Sequence, residues 1–392
     1  MSHTWSNVLA QIEAAGERVL ERACAWNGDG FQFRQEVERL LLGGVAQAYL
    51  GLVCGDPDHP EFMPLINVTI NNAAPNADYI YMYAPLRGAG VYRLSGYRGT
   101  SHFVQFSTGA IAYTHAEIPG PSLANYDLDE IHIGDDGWFE VLLSSERPTG
   151  YTGDWWQLDS SCTYISYRQA SYDWNNEVDA RIAIERVDAP AIKPSVDGAE
   201  LARRLEGVGA WMEHATKRWF DHLSGVAARG VINEVKVYDY GGIGGLKGQV
   251  YVEGMYELAP DEALILEAAL PESVRYWSFL VTDDVFATVD YYNRQSSLNG
   301  HQARIDSDGR FRAVIAGQDP GVPNWLDTAG YRRGIIQGRW ERASSTPATT
   351  VRKVKLHEVR AQLPADTPAV TVEERDRLLR QRRLGAQLRR RW

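Results

Sequence analysis

"ARIDSDGRFRAVIAGQDPGVPNWLD" (303–327) echoes an earlier stretch, "IHIGDDGWFEVLLSSERPTGYTGDWWQLD" (131–159). With Gly137 laid on Gly309, Asp136 meets Asp308, Phe139 meets Phe311 and Pro148 meets Pro320. After a gap, Trp156 meets Trp325, and Leu158-Asp159 meets Leu326-Asp327. In each copy Asp-Gly supplies a tight hairpin, an apolar run supplies a strand, and a proline-bearing segment ends it, because proline cannot donate to a ladder. The tryptophan is expected to fold back as an anchor over the end of the sheet. A device built twice reads as a corner of the fold before it reads as a catalytic loop.

Outward from these hairpins the match continues. GVYRL (90–94) aligns with ALILE (263–267), SHFVQFS (101–107) with YWSFLVT (276–282), and YISYR (164–168) with IIQGR (335–339). The copies run from about 77 to 168 and from about 250 to 339. Their short β runs, broken by Gly, Pro and Asp, predict antiparallel strands. The expected fold is mainly β with added helices (α+β): two tandem antiparallel β-sandwich or jelly-roll-like modules related by internal duplication. The expected organisation is N-terminal helices over 1–64, a first sandwich over 65–190, a linking helix over 191–232, a second sandwich over 233–345, and a tail with a basic helix over 346–392.

Helix signals flank the β runs. Asp29 with Gln32 resembles a capping box, followed by an apolar face of Val37, Leu41, Val45, Ala48 and Leu52. Asp197 with Glu200 opens a helix over 198–224, whose stripe includes Met212, Ala215, Trp219 and Leu223. Thr371 with Glu374 opens the last one. From Arg375 onward there are eight arginines and one acid, against a chain net charge of -11. This tail is expected to dock on the acidic body through Leu384, Leu388 and Trp392. The overall charge disfavours nucleic acid and anionic membrane as partners. Neither a membrane span nor a secretory leader is apparent, and Cys24, Cys54 and Cys162 are scattered, which fits a cytoplasmic protein. A homo-oligomer is compatible with this composition.

The second half also resembles a bacterial family of unknown function. The residues that carry the resemblance are YWSFLVTD (276–283), DYYNRQSSLN (290–299), DGRFRAVIAG (308–317), PNWLD (323–327) and the closing Arg339-Trp340. That family ends in an Asn-Trp-Leu loop after an antiparallel sandwich. Related proteins place a similar module upstream, marked by Asn/Asp-Pro-Asp-x-x-Tyr. Here NNAAPNADYIY (71–81) stands in that place, with Pro75 set before Asn76-Ala77-Asp78. The resemblance implies the fold and brings no chemistry with it.

Several chemistries lack their residues: there is no GxSxG, no GxxxxGK[ST] and no HExxH. The glycine cluster GGIGGLKGQ (241–249) reads as a flexible connection into the second module. His102, His115 and His132 read as unrelated histidines, so no metal site is expected, and no cofactor either. What remains is polar and aromatic. The stretch 290–302, with Tyr292, Asn293, Arg294, Asn299 and His301, is expected to line a pocket beside the 319–327 loop. Asp78, Glu253, His301, Asp319 and Asp327 are the candidate acid–base groups, since burial beside a like partner separates carboxyl pKa values. Tyr81, Tyr251, Tyr292, Asn293, Arg294, Asn299, Asn324, Trp325 and Arg339 are the candidate substrate contacts. With 12 Trp, 20 Tyr and 10 Phe, an aromatic cleft between modules is expected. These residues point to an enzyme that adds or removes water, or hydrolyses a small, fairly apolar molecule such as a terpenoid or steroid. A non-catalytic carbohydrate- or lipophile-binding protein, or a structural subunit of an enzyme complex, would use the same inventory. The enzyme requires a deep pocket in which carboxyl or imidazole groups converge, and the binder an open aromatic groove without them.

Overall fold

The two Asp-Gly corners are the same turn. Gly137 (φ 82°) and Gly309 (φ 77°) both occupy the left-handed region. Their N–H groups donate to Gly134 O at 2.8 Å and to Asp306 O at 2.9 Å. A computed structural model of the chain describes residues 4–240, 245–246 and 248–389.

In the first module the strands are β1 (Met63–Pro64), β2 (Tyr79–Pro85), β3 (Tyr92–Tyr97), β4 (Phe103–Gly109), β5 (Ala124–Asp127), β6 (Trp138–Ser144), β7 (Asp154–Gln157), β8 (Tyr164–Ala170) and β9 (Arg181–Arg186). In the second they are β10 (Lys236–Tyr238), β11 (Gln249–Glu257), β12 (Glu262–Ala269), β13 (Tyr276–Val281), β14 (Ser297–Asn299), β15 (Arg310–Ala316), β16 (Trp325–Asp327), β17 (Arg333–Glu341) and β18 (Thr349–Lys355). The sheets run β1-β2-β8-β4-β5 with β7-β6-β3-β9, and β10-β11-β17-β13-β14 with β16-β15-β12-β18. Adding nine to each strand number turns the first pair of orders into the second, so the chain contains one sandwich built twice.

The structure refines the expected alignment. Trp325 lies opposite Val314, and Trp155 lies opposite Leu142. The Trp155 indole donates to Ser144 Oγ, and the Trp325 indole to the Ala316 carbonyl at the matching place on the neighbouring strand. Trp155, not Trp156, is therefore the counterpart of Trp325; Trp156 packs in the core, as Leu326 does. Matching the Leu-Asp pairs misled the alignment across the gap. The sandwiches are also not wholly antiparallel, because β7 and β16 join their sheets in parallel after the proline-bearing segment carries the chain back. β18 extends the second module past residue 345.

Alternation along the strands separates two kinds of sheet. β9 and β18 alternate between exposed and half-buried residues. β2, β4, β8, β13 and β17 are buried almost throughout. Their inner residues, such as Met82, Phe106 and Tyr167 or Phe279, Ile336 and Trp340, fill the two sandwich cores. Their outer faces meet each other: Tyr79 OH donates to Gln249 at 3.0 Å, Gln105 to Glu341 at 3.0 Å, and Asn76 to Tyr276 at 2.7 Å. The molecule is thus a stack of four β layers with a polar and aromatic seam at its middle.

Helices close the seam. α1 (Thr4–Asn27), α2 (Phe31–Ala48), α3 (Gly198–Glu206) and α4 (Val208–Ala228) form a cap, and the apolar faces of α1, α2 and α4 pack with Ala74, Met255, Phe286 and Ile335. Asp197 caps α3 as expected, whereas α2 starts after Gly30 without a side-chain cap from Asp29. The expected single helix over 198–224 breaks at Gly207, where a Cβ would lie 2.6 Å from Leu52. The segment Phe31–Cys54 is long and apolar enough to cross a membrane by composition, contrary to expectation. Here it packs against α4, with Gly44 closing on Met212.

The last helix, α5 (Val372–Leu388), carries the expected Thr371–Glu374 capping box and docks across both modules, with Ala386 packed among Ala77, Trp174 and Tyr291. Arginines dock it, not the leucine stripe: Leu384 and Leu388 are 54% and 69% exposed. Arg375 donates to Asp319, Gln295 and the Val322 carbonyl, and Arg382 to the Tyr291 carbonyl and Ser297. The body offers carbonyls and carboxylates there, which guanidinium forks satisfy better than leucine does. Trp392, and residues 241–244 and 247 of the glycine cluster, lie outside the described residues.

Candidate functional site

Between the central sheets and under α4 lies a cavity of about 190 Å³. Tyr81 and Arg168 are cross-strand partners on β2 and β8, and Tyr251 and Arg339 are cross-strand partners on β11 and β17. All four line the cavity, as do Arg218, Trp219 and His222 from α4. The duplication thus places one Tyr–Arg pair from each module on the wall.

Glu253 departs from that symmetry. It occupies the position on β11 that Tyr83 has on β2, and it is fully buried. Its carboxylate lies 3.0 Å from His222 Nε2 and accepts from Tyr240 OH at 2.7 Å and Gln337 Nε2 at 3.1 Å. Burial pushes the carboxyl pKa up, but the charge of His222 when protonated and these hydrogen bonds outweigh it, leaving Glu253 below the usual range. Burial and the neighbouring Glu253 charge hold the Tyr240 phenol well above its usual range, so it remains a donor. The set combines an ionised carboxylate, an imidazole and a phenol on one wall.

Among the described residues, two arginines here have no counter-ion. Arg339 is 5% exposed, and its closest hydrogen bond is a long one of 3.4 Å to the Ala74 carbonyl. Its Nη1 and Arg218 Nη1 are buried without a partner. Neither arginine forms an ion pair among the described residues. The Arg218 guanidinium lies 4.7 Å from the Trp219 ring and that of Arg339 5.5 Å from the Tyr251 ring. Burial lowers the pKa of Arg218.

The cavity floor is strained. Ala74 (φ 45°) and Phe286 (φ 63°) both adopt left-handed backbone, and Ala74 N donates to Phe286 O at 3.0 Å. Such conformations cost on the order of 1–3 kcal/mol each and persist where the surroundings impose them. Asp283 imposes one of them, accepting from the N–H groups of Val285 (3.1 Å) and Ala287 (2.8 Å). Burial raises its pKa to about 7.

The expected site residues therefore divide. Tyr81, Tyr251, Glu253 and Arg339 line the cavity. Asp78 and Asn299 lie in a buried hub instead: the Asp78 carboxylate accepts from Tyr276 OH (2.6 Å), Trp174 Nε1 (2.8 Å) and Asn299 Nδ2 (2.8 Å), with its pKa raised by burial. That hub fastens the two modules together. The pocket expected beside 319–327 is replaced by the α5 seat. Asp319 pairs with Arg375, Asp327 with Arg294, and Asn293 bonds Asp290. Asn324 staples the backbone of Arg304 and Arg312, and the indole of Trp325 lies under Arg375. Tyr292 packs on Tyr291, and His301 is half exposed near Asp173. Their polarity serves long-range pairing rather than convergence. Within the 290–302 stretch, β14 repeats β5 of the first module.

His222, Arg218, Trp219, Tyr240, Gln337 and Arg168 are among the lining residues that sequence reasoning missed. For the three on α4 a signal was present in "KRWFDH" (217–222), where His222 follows Trp219 by three residues, on the same helix face. Among the described residues, no three His, Cys, Asp or Glu side chains cluster as a metal ion requires.

Residues 258–334 match the profile of a family described as a protein of unknown function (DUF1214). The matched segment falls within the second module. Among solved structures, an uncharacterised protein from Burkholderia cenocepacia is similar: 28% identity, 92% of this chain and 98% of that chain covered, TM-score 0.83. The VPA0106 protein from Vibrio parahaemolyticus matches at 11% identity, with 80% and 96% covered and a TM-score of 0.47. No curated protein matches this chain.

Proposed function

We propose that the protein is an enzyme that adds or removes water, or hydrolyses a bond, in a small, fairly apolar molecule held between the two modules. The observation that carries this reading is the fully buried Glu253 at 3.0 Å from His222 on the cavity wall. Proton transfer requires a carboxylate–imidazole pair within reach of the substrate, whereas holding an apolar ligand does not. His222 takes a proton from water or substrate and returns it, and Glu253 steadies the imidazolium that forms. Tyr240 and Gln337 hold the carboxylate in place. The aromatic walls of Tyr81, Tyr113, Trp219, Tyr251 and Phe286 receive the apolar body of the substrate. The reaction needs only protons and water. We further propose that the first module is a diverged copy of the matched domain, and that the protein works in the cytoplasm on small molecules.

The test is incubation with a panel of terpenoid, steroid and aryl esters, epoxides and hydroxy compounds, with mass spectrometry reading the gain or loss of one water or the cleavage products. Turnover by the wild type that falls about 100-fold or more in both Glu253→Gln and His222→Asn supports the proposal. Binding of panel members without turnover of any would make the protein a binder.

A further inference from the structure

The enzyme reading leaves two cavity arginines unused. Elsewhere among the described residues, partly or fully buried arginines are matched: Arg275 by Asp127 and Asp129, Arg312 by Glu267, Asp306 and Asp308, Arg375 by Asp319. Arg389 and Arg382, which lack carboxylates, still donate to carbonyls or hydroxyls through two nitrogens. Arg339 and Arg218 are not treated this way. Arg339 has one long bond and a bare Nη1, and Arg218 a buried bare Nη1, both on the wall of the same cavity. Glu253 does not serve them, because His222, Tyr240 and Gln337 occupy it. A buried guanidinium without a counter-ion opposes folding unless a ligand completes it.

We propose that the cavity's ligand is an organic carboxylate with a flat or branched apolar body, its carboxylate received by Arg339 and Arg218. This deepens the enzyme reading and rests on the same cavity being the functional site. Two guanidiniums on different elements, β17 and α4, offer donors to both oxygens of one carboxylate. The Trp219 and Tyr251 rings lie beside the two guanidiniums, at 4.7 and 5.5 Å, and offer them π-faces rather than acceptors that would occupy their N–H groups. Ile66, Ala73, Ala74 and Phe286 leave the rest of the space to a carbon skeleton. Arg168, the first module's counterpart of Arg339, adds positive charge to the wall.

The experiment is isothermal titration of the full chain with cinnamate, geranate and phenylacetate, each beside its primary amide, and with inorganic phosphate. The expected result is that at least one acid binds while its amide does not. Arg339→Gln and Arg218→Gln should each weaken that acid by about 30-fold or more, and Glu253→Gln should keep it. Thermal unfolding without ligand gives a second reading: Arg218→Gln and Arg339→Met should melt at or above the wild-type temperature, because each removes an unmatched charge. Acids binding no better than their amides would overturn the carboxylate assignment, as would phosphate binding alone. Arginine variants that both melt lower and bind unchanged would also overturn it. Because Glu253→Gln isolates binding from turnover, failure of the carboxylate assignment and failure of the catalytic reading give different results.

Discussion

At one register position of the duplicated strand the first module carries Tyr83 and the second carries Glu253. Around Tyr83 the neighbours are Tyr164, Trp211 and His115, whose Nε2 lies 3.3 Å from the phenol. Around Glu253 they are His222, Tyr240 and Gln337. The frameworks match strand for strand, yet one side is an aromatic plug and the other a buried carboxylate with an imidazole. The repeated framework supplies the cavity wall and its Tyr–Arg pairs, and the difference at this position supplies the carboxylate of the proposed acid–base pair.

That contrast breaks most sharply in activity. Tyr83→Phe should leave turnover within a few-fold of wild type, whereas Glu253→Gln should lower kcat by roughly 10²–10⁴. Steady-state rates on any substrate found by the panel check both; equal losses would erase the distinction between the copies.

The next effect concerns the seam. Asp78→Ala strands the donors of Tyr276, Trp174 and Asn299 and should cost about 3–5 kcal/mol. Urea unfolding reads this, and a loss below about 1 kcal/mol would show that the hub does not hold the modules together.

Asp283 provides a pH-dependent test. Its folded pKa, about 7, lies above its ordinary 3.8, so folding favours the neutral form. That contribution is fully present below pH 4 and is lost as the pH rises through 7. Asp283→Asn should therefore be nearly neutral at pH 4 and stabilising by up to about 4 kcal/mol at pH 8. A stability difference that does not change with pH would contradict the assignment.

The smallest effect should be the same in both copies. Gly137→Ala and Gly309→Ala each place a Cβ in open space but at positive φ, and each should cost about 1 kcal/mol. Unequal costs would mean that the two corners are not energetically equivalent.

The duplication was readable because its signals are local: Asp-Gly turns, alternating strands, and the YISYR and IIQGR pair that places Arg168 against Arg339. Tyr81, Tyr251, Glu253 and Arg339 were readable as polar residues on tyrosine-rich strands. The helix side of the cavity was not, because Trp219 satisfies the apolar stripe of α4 and His222 then reads as a passenger on it. Asp319, Asp327 and Asn324 looked site-like because a dense polar loop resembles a pocket when its partners lie far along the chain. Arg375 and Arg304, which satisfy two of them, are apparent only in three dimensions. The face-to-face contact of the two central sheets also leaves no periodic trace, since strands buried on both faces lose their alternation.

The most direct measurement is a crystal structure of Glu253→Gln with the tightest-binding acid. The account predicts density between Tyr81 and Tyr251, with the carboxylate on Arg339 and Arg218 and the carbon skeleton against Trp219 and Phe286. Ligand seated instead on the 290–327 surface, or between an outer and a central sheet, would contradict it.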